Sequence, residues 1–157
     1  MPAEPIKIRL ELEKGALAHA PVHGRLVIIN QGSKSISVVS PHYHAALNIA
    51  VFDRYWNPVV PNSLGKIHVA YKLTELIPGQ SMEFTLSELA YTSGTARMLF
   101  RLNAGEYHVA AIYHPGTDQL PDKSDYPVAA ASNVVKLTVA PATSSAKTDL
   151  PSSRKRR

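Results

Sequence analysis

Two histidines flank one tyrosine at His42-Tyr43-His44. On an extended backbone, alternate residues project from one face, so both imidazoles point the same way. Two imidazoles side by side are half of a metal site, and His68, His108 or His114 offers a third ligand. The plain alternative is a pair of exposed loop histidines after Pro41. Asp118, Asp122 and Asp125 cluster further along, where carboxylate oxygens suit calcium. Lys123 lies among them and the spacing is not that of a helix-loop-helix site, so a solvated polar loop fits better. Tyr55-Trp56 follows Asp53 directly, and exposed aromatics of this kind anchor interfaces. The competing reading folds Trp56 back onto the rim of the core.

Other chemistry is missing. There is no cysteine, which removes disulfides, thiolate metal sites and thiol catalysis. No G-x-S-x-G elbow, phosphate-binding P-loop or G-x-G-x-x-G occurs, so neither a nucleophile set nor a nucleotide cradle is in view. No cofactor is expected, and a non-enzymatic role follows. The candidate binding residues are Tyr55, Trp56, His114, Asp118, Asp122 and Tyr126, and the candidate metal ligands are His42 and His44.

Elements must hold these residues, and 157 residues with 45% hydrophobic content suffice for one domain with a core. Ile6-Lys7-Ile8-Arg9-Leu10-Glu11-Leu12-Glu13 alternates apolar and charged without a break, the pattern of a half-buried strand. The run 25–30 is short and nearly all apolar, which predicts a strand covered on both faces. Further strands are expected at 36–39, 47–53, 81–89, 107–113 and 133–139, with a weaker one at 66–73 and loops at 92–96 and 114–132. Ile77-Pro78-Gly79-Gln80 is a turn, with proline at a corner and glycine supplying positive φ. No stretch keeps a 3.6-residue period, and twelve prolines are spread along the chain. Many short strands predict an all-β sandwich or barrel.

The tail 141–157 is rich in Ser, Thr, Ala and Pro and is expected to be disordered. It holds five of the seventeen basic residues and one of the twelve acids, so most of the +5 charge sits there and the first 140 residues are near neutral. Arg154-Lys155-Arg156-Arg157 can neutralise at most about four phosphates, which makes nucleic-acid contact weak and confined to the tail. The division is therefore a sandwich domain at 1–140 and a basic tail at 141–157. No apolar run reaches membrane-spanning length, so no membrane contact is expected. Met1-Pro2-Ala3-Glu4-Pro5 has no basic-then-apolar leader pattern, which points to the cytoplasm.

The sharpest motif is Leu102-Asn103-Ala104-Gly105-Glu106-Tyr107, which opens the strand Tyr107-His108-Val109-Ala110-Ala111-Ile112-Tyr113. It resembles the tyrosine corner of Greek-key sandwiches: glycine turns the chain between sheets, and the tyrosine hydroxyl satisfies a backbone group at the crossing. Alternation puts Val109 and Ala111 inward and His108 outward. With the turn at 77–80 and the Met82/Phe84 strand, residues 6–140 resemble bacterial immunoglobulin-like β-sandwich modules, and among these the intracellular proteinase inhibitor type and adhesin-like accessory modules. Asn57-Pro58 stands where that pattern has a glycine turn, and the 114–132 segment is an insertion. The resemblance implies an immunoglobulin-like Greek-key sandwich that binds another protein through loops or a sheet edge, with proteinase inhibition or histidine-based metal binding as alternatives.

Overall fold

A computed structural model describes residues 6–39, 47–66, 73–93, 96–113 and 130–142. Within them all regular structure is β: β1 Ile6–Leu12, β2 Ala16–Leu17, β3 Gly24–Asn30, β4 Ile36–Val39, β5 Leu47–Asp53, β6 Asn62–Lys66, β7 Leu73–Leu76, β8 Ser81–Leu86, β9 Ala90–Ser93, β10 Ala96–Leu99, β11 Gly105–Tyr113, β12 Ala130–Ala131 and β13 Val135–Ala140. Among the described residues no helix is long and apolar enough to cross a membrane.

Two sheets face each other. One has the order β1-β3-β8, antiparallel throughout. The other is built on β11, flanked by β5 and β13, with β2 running parallel along β13. The first strand thus leaves the first sheet after Leu12 and continues on the second as β2. This is the topology of an immunoglobulin-like Greek-key sandwich. The inward sets interlock: Ile6, Ile8, Leu10, Leu26, Ile28, Phe84 and Leu86 from one sheet meet Leu47, Ile49, Val51, Tyr107, Val109, Ala111, Tyr113, Leu137 and Val139 from the other.

Three polar devices fix this frame. Tyr107 donates its hydroxyl to the Asn103 carbonyl at 2.8 Å, with Gly105 at φ 152° between them. Few residues other than glycine reach that angle. Asn30, fully buried, bends the β3/β8 ribbon into β4/β7. Its Nδ2 donates to the carbonyls of Lys34 and Leu76, both at 2.8 Å, and its Oδ1 accepts from Gly32 N at 2.9 Å. Between the pairs Ile29↔Ser81 and Ile36↔Leu76, the first strand carries two more residues than the second, and Asn30 bonds the excess. The turn at 77–80 closes opposite, with Gly79 at φ 83° and Gln80 N donating to Ile77 O at 3.0 Å.

Asn133 is the third device. Leu10 N donates to Asn133 Oδ1 at 2.9 Å, and Asn133 Nδ2 donates back to Leu10 O at 3.1 Å. The side-chain amide does what a neighbouring peptide unit would do, and Ile8 bridges Ser132 beside it. The outer edge of β1 is therefore occupied at Ile8 and Leu10.

Several boundaries differ from the sequence expectation. The strand expected over 81–89 stops at Leu86, and within the loop expected at 92–96 Thr92 and Ser93 belong to β9 and Ala96 to β10, with Thr92 buried and 94–95 outside the described residues. The expected 66–73 strand is replaced by β6 ending at Lys66 and β7 beginning at Leu73, with 67–72 outside the described residues. The two-residue β2 has no periodicity to announce it.

Candidate binding site

The turn after β5 is built by Asp53. Trp56 N donates to Asp53 O at 2.9 Å, and Asp53 N donates to Asn57 O at 2.9 Å, closing a three-residue loop of Arg54, Tyr55 and Trp56. The Asp53 carboxylate holds it from inside. Oδ1 accepts from Tyr55 N at 2.8 Å and Asn57 N at 2.9 Å, and Oδ2 from Asn57 Nδ2 at 3.3 Å. The Asn57 amide foremost, with Tyr55 N and the Asn57 side chain, holds the Asp53 carboxyl below its ordinary value. In a loop of this length the last residue is left-handed and is normally glycine. Here it is Trp56, at φ 67°. A bulky residue there costs on the order of 1 kcal/mol or more.

That backbone angle carries the indole over the outer face of the second sheet. Its ring lies flat on His108, with centroids 3.9 Å apart and planes within 3°. Phe52, the register partner of His108, meets the indole at 5.8 Å with a 46° tilt. Trp56 is nonetheless 55% exposed and Tyr55 72% exposed. The alternative that folds Trp56 onto the core rim is thus corrected: it packs on the outer face, away from the core cluster. Arg54 lies 5.2 Å from the Tyr55 ring centroid.

Of the sequence candidates, the structure places Tyr55 and Trp56 together, and adds His108 beneath them. His108 was legible as outward by alternation; its stacking depends on the loop conformation and was not. His114, Asp118, Asp122 and Tyr126 lie outside the described residues, as do His42 and His44. Among the described residues no three His, Asp or Glu side chains are grouped to hold a metal ion.

A second polar cluster sits at the β9/β10 hairpin. Glu88 accepts from Arg97 Nη2 at 2.9 Å and Arg101 Nη2 at 3.3 Å. Arg97 foremost, then Arg101, holds the Glu88 carboxyl below its ordinary value. A cavity of about 30 Å³ lined by Glu88, Tyr91 and Arg97 has room for water and nothing larger. This cluster ties β10 to the turn after β8.

No known protein-family model matches the chain, and no curated protein matches it in sequence. Among solved structures, the β-glucosidase from Listeria innocua in complex with glucose aligns with a TM-score of 0.41 and 14% identity, over 87% of this chain and 16% of that one. The β-D-glucoside glucohydrolase from Trichoderma reesei aligns with a TM-score of 0.34 and 13% identity, over 86% of this chain and 18% of that one. The chain spans less than a fifth of the length of either.

Proposed function

We propose that this chain is a non-enzymatic protein-binding module whose contact surface is centred on Tyr55 and Trp56. One observation carries the reading: a large indole is kept outside the core at a backbone angle that disfavours it, held by Asp53 and stacked on His108. A strained and exposed aromatic contributes little to folding, and rigid aromatics at low entropic cost are what interface anchors need. The loop mode of binding is favoured over pairing along β1, whose outer edge is engaged at Ile8 and Leu10 by Ser132 and Asn133. The partner is another protein. A cytoplasmic setting belongs to this reading and is supported by the absence of cysteine.

The test is cross-linking from Tyr55, replaced by a photoreactive aromatic, in lysate of the source cells. A discrete protein adduct that disappears in Trp56→Ala supports the reading. No adduct, or the same adduct without Trp56, removes it.

Proteinase inhibition of the intracellular type is a second reading, favoured by the rigidity of the 53–57 loop, since an inhibitor presents a stiff loop to a cleft. A panel of serine and metalloproteases decides it: no inhibition at micromolar inhibitor ends it.

A further inference from the structure

Strand β13 has two edges, and the outer one is covered at one end only. β11 pairs along the inner edge from Val135 to Val139. On the outer edge β2 meets Val139 and Ala140 alone. Ala18 N donates to Ala140 O at 2.8 Å, which fixes the side to which Ala140 points its backbone groups. Alternation turns the N–H of Thr138 and both the N–H and the carbonyl of Lys136 to that same side. Among the described residues nothing bonds to these three groups. Gly15, at φ 83°, turns the chain between β1 and β2, and pairing with β13 begins only at Ala16. The passing segment and the uncovered stretch of β13 enclose a groove of about 430 Å³. Its inner side is apolar: Leu12 and Val135 pack against the core and Leu137 is buried. Its exposed margin carries Glu13, Lys14 and Lys136.

We infer that this groove takes an extended acidic segment of a partner protein, which pairs with the uncovered stretch of β13 as an added strand. Three features select that occupant. Unpaired N–H and carbonyl groups in strand geometry are matched by another extended backbone. Neighbouring residues of a strand face opposite ways, so the occupant sets an apolar side chain against Leu12 and Val135 and the next one over the charged margin. That margin has positive charge to spare. Glu13 Oε1 already accepts from His23 N at 3.1 Å, Lys136 stands a loose 4.0 Å from Glu106, and Lys14 has no ion-pair partner among the described residues. Carboxylates at the outward positions are therefore favoured, and strands that carry lysine there are repelled. The stretch from Val135 to Thr138 covers about 10 Å at about 3.3 Å per residue, so the contact is short and binding weak. β5 and its aromatic loop lie across β11 from this edge, so the inference does not rest on the Tyr55–Trp56 surface.

The probe is a capped pentapeptide alternating glutamate and valine, titrated into the full chain up to about 1 mM, with hydrogen exchange and chemical shift read at each backbone amide. The Lys136 and Thr138 amides are expected to exchange fast in the free chain and to slow at least about fivefold with peptide bound. The same peptide with lysine in place of glutamate binds at least about tenfold more weakly. Methylating alternate backbone nitrogens of the peptide separates strand addition from loose charge attraction: one set abolishes binding and the other leaves it, because only one edge of an added strand faces β13. Lys14 is exposed, so Lys14→Glu folds; it weakens the glutamate peptide at least about threefold and strengthens the lysine one. Slow exchange at Lys136 and Thr138 in the free chain overturns the inference, as does an absence of protection at the highest peptide concentration. Equal binding of the two peptides, or of the two methylated sets, also overturns it. Trp56→Ala should leave peptide binding unchanged; its loss there would move the peptide to the aromatic loop and remove the edge site. The cross-linking experiment reads the loop separately, so either proposal can fail alone.

Discussion

The two sheets share one core and differ outside it. The outer face of β1-β3-β8 carries a chain of ion pairs: Arg9 Nε to Glu11 Oε2 at 3.0 Å, Arg25 Nε to Glu11 Oε1 at 2.9 Å, and Arg25 Nη1 to Glu83 Oε1 at 3.1 Å. Val27 sits in register between Arg9 and Glu83 and is buried although it faces outward. Long charged side chains cover apolar surface with their stems while their heads stay wet. The face of β5-β11-β13 is arranged the other way. Its charges stand at the rim, and its centre is alanine, valine and stacked rings. The first face pairs Arg9, Arg25, Glu11 and Glu83 among themselves. The second leaves the exposed side chains of Trp56, Val60 and Val134 in contact with water.

Experiments that break this contrast differ widely in size. The largest effect is expected at Asn30, which supports the first sheet from inside. Asn30→Ala strips partners from the Leu76 and Lys34 carbonyls and the Gly32 amide, and should cost about 2–4 kcal/mol in denaturant unfolding. A loss below about 1 kcal/mol would mean water replaces the side chain freely. Next is Trp56→Ala on the second face. Partner capture should fall at least about tenfold, while unfolding stability moves by less than about 1 kcal/mol. Comparable losses in both measurements would make Trp56 a folding residue.

Acid titration compares the faces directly. Arg25 foremost holds Glu11 below its ordinary value on the first face, as Asn57 N holds Asp53 on the second. A lowered carboxyl contributes stability above its unfolded value and loses it as pH falls through the folded one, so both contributions are present at neutral pH and fade below the ordinary values of 4.5 and 3.8. Only loss at Asp53 should free the Trp56 loop. Acrylamide access to Trp56 should rise on acidification, and Asp53→Asn should show that rise already at neutral pH, whereas Glu11→Gln should not. The smallest effect is expected for Arg25→Ala. These pairs are exposed and screened, so unfolding stability should move least among these variants and partner capture not at all. A clear binding defect would show that the charged face also meets the partner.

Alternation along β1 and β11 made the inward and outward sets readable, and with them the sandwich. Tyr107 and Gly105 were readable for the same reason: the hydrogen bond to Asn103 spans four residues, a distance that sequence displays. Asn133 was not, because its partner Leu10 is remote in the chain and nothing local distinguishes it from any loop asparagine. Thr92 misled because a polar residue near a turn looks like a loop, whereas the β9/β10 hairpin buries it. Tyr55-Trp56 could be singled out by residue type, but whether the indole turned inward or outward depended on a single φ angle. His42, His44, His114, Asp118, Asp122 and Tyr126 lie outside the described residues.

That φ angle has an evolutionary side. At a left-handed position glycine is normally the easier residue, so Trp56→Gly relieves backbone strain while deleting the ring that rests on His108. Selection for robustness alone would favour the glycine. The residue found at this site in related chains would mark which of them keep a ring on His108.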